Sequence, residues 1–360
     1  MSTYKVHEGE IERLLSYVLE ADASDLHLLL GKPPVLRVDS RLKPIEGYSV
    51  LDGEEIEKLL STMLNDFHKK QLQEKKQVDF SYDFRGKARF RVNVYYQKNA
   101  LAAAYRHIPS KIRTLPELNL PAQLEEFTKH RQGLVLFVGP TGHGKSTTLA
   151  ALIDIINHTR AEHIITIDDP IEYLFIQDKS LISQREVYQD TIGFAPAIRA
   201  TLREDVNVVM VGEMRDLESI STTITVAETG HLVFATLHTN DAPQTVDRII
   251  DVFPAHQQNQ IRSQLSSILL GVVSQRLVPR IGGGQIPAVE IMVSNNAVKN
   301  VIREGRIYEL ANIIHTSSGE GMVSIDRSLA DLVRKGLVKL EDGLAYASNL
   351  EMFKSLVRRF

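Results

Sequence analysis

The sequence contains no cysteine, which excludes disulfides and every thiolate metal site and fits a reducing compartment. It has no excess of positive charge. Its 42 Lys plus Arg stand against 45 Asp plus Glu, a formal net charge of -3, so no global positive field argues for a nucleic-acid partner. No segment approaches the ~20 consecutive apolar residues that a membrane span needs. The opening MSTYKVHEGEIERLL carries charge through its first turns and builds no apolar signal core. A repeat of roughly 20 to 50 residues is also missing, as is any low-complexity tract. These absences lead to the expectation of a cytosolic protein, and 360 residues leave room for two or three units with proper cores.

Two textures divide the chain. In the first, Ile11, Leu14, Leu15, Val18 and Leu19 follow an i, i+3, i+4 pattern that predicts an amphipathic helix. LHLLL, PPVLRVD, VDFSYDF and ARFRVNVYYQ then read as short strands between Gly and Pro punctuation. Residues 1–107 are therefore expected to form an α+β domain, with residues 108–118 as a proline-rich linker. From about residue 119 the texture changes to the buried runs LVLFV, HIITI, NVVMVG and HLVFATLH, each feeding a polar turn and a helical pattern. That alternation predicts a largely parallel sheet covered on both faces. The spacing of Val298, Val301, Ile302, Ile325, Leu329, Leu332 and Val333 predicts a helical C-terminal part, taken to begin at about residue 276, near the triple glycine Gly282–Gly284.

The strand LVLFV runs into GPTGHGKST, that is Gly139, Pro140, Thr141, Gly142, His143, Gly144, Lys145, Ser146 and Thr147. Glycines at these positions let successive amide N–H groups converge on phosphate oxygens. Lys145 adds a point charge at the outer phosphates, the Ser146 hydroxyl can ligate a magnesium ion, and the following helix offers its positive end. A glycine-rich turn that binds nothing is the alternative, but the full spacing between a strand and a helix points to a nucleotide loop. His143 occupies a variable position of the pattern and is expected to face solvent without a role of its own.

Nucleotide hydrolysis also needs a carboxylate that orients water and one that holds the magnesium, directly or through water. IITIDDPIE places Asp168, Asp169 and Glu172 after a buried strand, and VVMVGEMRD places Glu213 at the end of another. In a parallel sheet both turns belong at the carboxyl ends of the strands, beside the loop. Glu213 is the expected base, Asp168 its rival and the expected metal carboxylate. His231 and His238 sit at the two ends of HLVFATLH. Strand alternation turns them to opposite faces and argues against a shared metal. Either could be structural; His238, between Thr236 and Thr239, is the better candidate for reading the terminal phosphate. A guanidinium can speed phosphoryl transfer by about 10³ to 10⁵-fold in systems that use one. Arg91 and Arg106 in the first domain are the leading candidates, with Arg89 and Arg203 as others.

Together these stretches resemble the secretion ATPase superfamily, and most of all its PilT-type type IV pilus retraction ATPases. The resemblance runs through ASDLHLLLGKPPVLRVDSRLKPI, RFRVNVYYQ, GPTGHGKSTT, ITIDDPIEY, AIRATLRED, VGEMRDLES, AETGHLVFATLHTN and DRIIDVFP in family order. It implies a PAS-like N-terminal domain, a RecA-like P-loop ATPase domain with a helical C-terminal part, ATP and Mg2+ as cofactors, and a homohexameric ring. Such a ring works peripherally at the cytoplasmic face of the inner membrane, against the platform protein of the pilus machine. The resemblance lends ITIDDPIE the role of the Asp box, Glu213 that of the Walker B glutamate, and His231 and His238 those of the His box. NAVKNVIREG resembles the C-terminal signature associated with retraction. Three positions depart from the pattern: Asp168 where Glu is usual, Lys299 where Arg is usual, and Asn99 where an arginine is common, the last as in accessory PilU-type relatives. The competing readings are an accessory, extension or secretion ATPase of the same superfamily, a nucleic-acid-translocating RecA-like ATPase, and a nucleotide-binding regulator with little turnover.

Overall fold

A computed structural model describes residues 9–38, 41–108 and 111–358, so the charged opening at residues 1–8 lies outside the described residues. Contacts divide the chain into two units, Met1–Lys111 with Asp169–Leu174, and Ile112–Asp168 with Phe175–Phe360. Residues Asp169–Leu174 thus belong with the first unit although the strand that precedes them, His163–Asp168, belongs to the second.

The first unit begins with α1 (Glu10–Glu20), whose Ile11, Leu14, Leu15 and Val18 are buried as their spacing predicts. Three short strands follow, β1 (Asp25–Leu28), β2 (Val35–Val38) and β3 (Arg41–Pro44). Helices α2 (Gly53–Ser61) and α3 (Asp66–Lys75) lead to β4 (Gln77–Phe84), β5 (Ala88–Gln97) and β6 (Ala100–Ile108). The sheet runs in the order β3-β2-β1-β6-β5-β4 with antiparallel pairing. Alternation along β5 buries Phe90, Val92 and Val94 and leaves Arg89, Arg91 and Asn93 on the other face. The turn between β5 and β6 holds Lys98 at φ 48° and Asn99 at φ 63°. Two successive left-handed residues suit Asn in a tight hairpin, which gives a backbone reason for Asn99.

The second unit carries β7 (Gly133–Val138), α4 (Lys145–Thr159), β8 (His163–Asp168), β9 (Leu181–Glu186) and α5 (Phe194–Ala200). Then come β10 (Val208–Val211), α6 (Leu217–Glu228), β11 (Leu232–Leu237), α7 (Ala242–Asp251) and α8 (Ala255–Ile268). The chain returns to the sheet with β12 (Leu269–Pro279) and β13 (Gln285–Val293). Its strand order is β13-β12-β7-β11-β10-β8-β9, parallel throughout except for the antiparallel pair β12 and β13. Every residue of β7 and β11 is buried. Leu134, Leu136 and Val138 enter one core while Val135 and Phe137 enter the core on the opposite face. This explains why these strands read as continuous apolar runs. The architecture is a PAS-like α+β domain followed by a RecA-like P-loop domain with a helical end.

The helical end is α9 (Asn296–Glu304), α10 (Leu310–Thr316), α11 (Ile325–Arg334), α12 (Leu340–Tyr346) and α13 (Leu350–Arg358). The expectation that it begins near residue 276 is corrected. Residues 276–279 complete β12, the triple glycine turns a hairpin, and β13 precedes the first helix at Asn296. Val278, Ile286 and Ala288 make the sheet's contribution to the core shared with α11 and α13, a packing role that helix-like spacing farther along the chain concealed.

Glu290 on β13 is nearly inaccessible and accepts the Ala242 N–H at the start of α7, at 3.0 Å. Burial raises its carboxyl to about 7, against the opposing effect of that hydrogen bond. The folded chain therefore holds this proton more tightly than the unfolded one. The resulting stabilisation is complete below pH 4.5 and is lost as pH rises through about 7. Glu290→Gln keeps the acceptor and cannot ionise. It is expected to flatten the pH dependence of unfolding across that window and to exceed the parent by on the order of 2 kcal/mol at about pH 8 in denaturant titrations. An unchanged pH profile would contradict this assignment.

Candidate functional site

Four parallel strands set the frame. Val138 lies opposite Leu237, Ala235 opposite Val211, and Val211 opposite Ile167, so β7, β11, β10 and β8 end at about one level. The phosphate loop, His238, Glu213 and Asp168 therefore leave the same edge of the sheet in that lateral order. Neighbouring strands are about 4.8 Å apart, which puts the β10 end roughly 10 Å and the β8 end roughly 14 Å sideways from β7.

The loop passes into α4 at Gly144, a cap residue with no side chain to accept from the first-turn amides. The Lys145 ammonium is buried and donates to the carbonyls of Gly139 at 2.7 Å and Pro140 at 3.0 Å. A buried ammonium has to be hydrogen-bonded, and here the loop's own backbone supplies the partners. Ser146 and Thr147 follow in the first turn of α4, half-buried. This cradle of backbone dipoles and one cation suits a polyphosphate.

His238 connects the loop to the carboxylate. Its Nδ1 lies 3.4 Å from Thr141 Oγ1 and its Nε2 lies 3.4 Å from Glu213 Oε2. The Glu213 backbone is steadied from β11, since Met214 N–H donates to Thr236 carbonyl at 2.9 Å and the Thr236 hydroxyl donates to the Gly212 carbonyl. Arg215 pairs with the other Glu213 oxygen at 2.5 Å and so restricts the direction in which the carboxylate points. Sequence reading passed over Arg215, although it stands two residues after Glu213 in VGEMRD. Asp168 borders the same turn from the far side; a Cβ on Gly212 would lie 3.0 Å from its Oδ1.

Other candidates are placed elsewhere. His231 stands at the opposite end of β11, roughly 20 Å along the strand from His238, with Nδ1 at 3.0 Å from the Val226 carbonyl. Arg106 is paired with Asp25 at 3.0 Å, and Arg91 approaches Glu172 at 3.6 Å and Asp79 at 3.9 Å, all within the first unit. Arg89 donates to Ser81 at 2.5 Å, and Arg203 is exposed after α5. His143 does not simply face solvent. It is half-buried, and its Nδ1 accepts the Leu277 N–H at 2.9 Å. Burial, Lys145 and Arg276 lower its pKa, which favours the neutral ring that such acceptance requires. Only the return of β12 to the sheet brings Leu277 to it, and nothing in the local sequence marks that contact.

The model of the type II/IV secretion system protein family matches residues 6–298. The chain is 44% identical over 344 residues to the type IV pilus retractation ATPase PilT of Pseudomonas aeruginosa, covering 96% of this chain and 100% of that protein. It is also 44% identical over 319 residues to a twitching motility protein of Neisseria gonorrhoeae, covering 88% and 85%. The crystal structure of the pilus retraction motor PilT with bound ADP matches with a TM-score of 0.89 at 44% identity, over 96% of this chain and 99% of that one.

Two substitutions separate the parts of this site. Lys145→Ala is expected to lower ATP turnover by about 10²-fold or more together with nucleotide affinity. Glu213→Gln should keep ADP and ATP binding while turnover falls by about 10²-fold or more. Phosphate-release assays and calorimetry on the purified chain check both, and full turnover by Glu213→Gln would move the base to Asp168.

Proposed function

The chain belongs to the type II/IV secretion ATPase family, and from that premise we propose that it is a homohexameric motor that couples ATP hydrolysis to type IV pilus retraction. The observation that carries this reading is its end-to-end similarity to a retractation ATPase, 44% over all of that protein's length. The NAVKNVIREG helix α9 adds support, with Val298, Val301 and Ile302 buried beneath it.

In the proposed reaction the loop amides from Gly139 to Thr147 and the Lys145 ammonium hold the nucleotide phosphates. Ser146 is the group that would hold Mg2+ directly, and Asp168, one strand beyond Glu213, would reach it through water, as suits an ion that keeps much of its hydration. That ion, when bound, offsets the charge of the outer phosphates. Glu213 orients the attacking water and accepts its proton. His238, set between Thr141 and Glu213, carries the state of the terminal phosphate to that carboxylate. Arg91 and Arg106 are proposed to add positive charge to the transferring phosphoryl group. Cycles of binding and release would then deform a ring docked on an inner-membrane platform protein at the cytoplasmic face.

Deleting the gene in the source organism and counting surface pili tests the direction of work. Surplus pili that fail to retract are expected, whereas bald cells would assign the motor to assembly, and unchanged retraction would assign it an accessory part. For the arginines, Arg91→Ala and Arg106→Ala should each cut kcat by about 10-fold or more with ADP affinity retained; normal kcat in both would remove them from the mechanism.

A further inference from the structure

Strand β12 takes no part in the proposed chemistry, yet successive side chains and amides at its end tie down the nucleotide site. Ser274 donates its hydroxyl to the Asn240 carbonyl at 2.6 Å, in the turn after His238. Gln275 donates Nε2–H to the His143 carbonyl at 2.9 Å and accepts the Thr148 hydroxyl at 2.7 Å. Arg276 donates to the Tyr346 carbonyl at 3.1 Å, at the end of α12. Leu277 N–H donates to His143 as described above.

Gln275 is the centre of this set. It is 3% exposed and Thr148 1%, so the pair lies out of water with both ends of the amide satisfied. The amide's direction is dictated by its neighbours, because a carbonyl only accepts and the Thr148 hydroxyl is placed to donate. The loop backbone is built against the same residue. At Gly139, with φ 138°, a Cβ would fall 2.4 Å from the Gln275 carbonyl oxygen. At Gly144, with φ 81°, it would fall 2.8 Å from Gln275 Nε2. These two glycines are thus required for the approach of β12 as well as for the loop's conformation.

We propose that Gln275 is a positioning residue for nucleotide binding: its buried side-chain amide clamps both ends of the turn from His143 to Thr148 and so holds the phosphate cradle formed before the nucleotide arrives. Its polar ends face loop groups, so it acts through the loop. A cradle already ordered spares the bound state the backbone entropy of ordering it. The clamp therefore governs affinity and leaves the chemical step to Glu213. The inference rests on the ATPase site and is independent of what the motor moves.

The test uses the purified full-length chain and ADP as the probe. Gln275→Met is similar in length without the hydrogen bonds, and Thr148→Val removes the bond from the other side while preserving shape. In each, the Kd for ADP and the KM for ATP should rise together about tenfold, the size of one buried hydrogen bond, with kcat within about twofold. In the double variant the two losses should be less than additive, because both substitutions remove the Thr148–Gln275 bond, while Gln275→Met alone also removes the bond to His143 and Thr148→Val alone the bond to the Gly144 carbonyl. Gln275→Glu keeps an acceptor for Thr148 but sets a carboxylate oxygen against the His143 carbonyl, and should bind ADP more weakly than Gln275→Met. Should Gln275→Met fail to fold, Thr148→Val carries the comparison. An ADP Kd within about twofold of the parent, or a fall in kcat at unchanged affinity, would overturn the proposal.

Discussion

In the seven-stranded sheet Leu237 lies opposite Val138 and Ala235 opposite Val211; this parallel register is what places a histidine between a phosphate loop and a carboxylate 25 residues before it. Slipping β11 by one position would exchange its two buried faces and displace His238 from Thr141 and Glu213 at once. Both faces are packed, Leu134, Leu136 and Val138 on one side and Val135 and Phe137 on the other, so the register has no cheap alternative. Core packing and site geometry are the same constraint seen from two ends of the strands.

Polar groups buried at that edge complete what packing begins. The Lys145 ammonium, the Gln275 amide and the Glu290 carboxyl are each buried and each finds a backbone partner, in the loop for the first two and at the start of α7 for the third. Such groups cost free energy unless their bonds are made, so they favour the one arrangement that makes them all. Two of the partners belong to the loops that flank a nucleotide, and β12 serves both through Ser274 and Gln275. Arg276 extends the same strand to the C-terminal helices through Tyr346. The ATPase core and its helical end are thereby mechanically continuous.

The nucleotide loop and the alternation of strand and helix were legible because each depends on local chemistry. Glycines at 139, 142 and 144, a lysine and a hydroxyl at fixed spacing, and unbroken apolar runs before polar turns need no distant contact to be recognised. The C-terminal hairpin was not legible in the same way. Helical spacing begins only at Asn296, whereas the extended form of residues 276–293 is selected by the antiparallel pairing of β12 with β13 and by packing against α11 and α13. His143 is illegible for the same reason, since its partner, Leu277, stands 134 residues away. Asp169–Leu174 follows β8 directly in sequence and belongs by contact with the first unit, which no local pattern marks.

What the residues determine by themselves is the inventory: a phosphate cradle, an ammonium, acids at strand ends, histidines at both ends of one strand, and a chain without thiols. These follow from side-chain chemistry and short-range backbone freedom. Only the tertiary structure decided which members meet. Strand order sets His238 and Glu213 near the loop, sets Asp168 one strand farther, leaves His231 at the opposite edge, and brings Gln275 beneath Gly139 and Gly144. The reason is that lateral neighbours in a parallel sheet are chosen by burial of whole strand faces, a property distributed over the domain and written in no single motif.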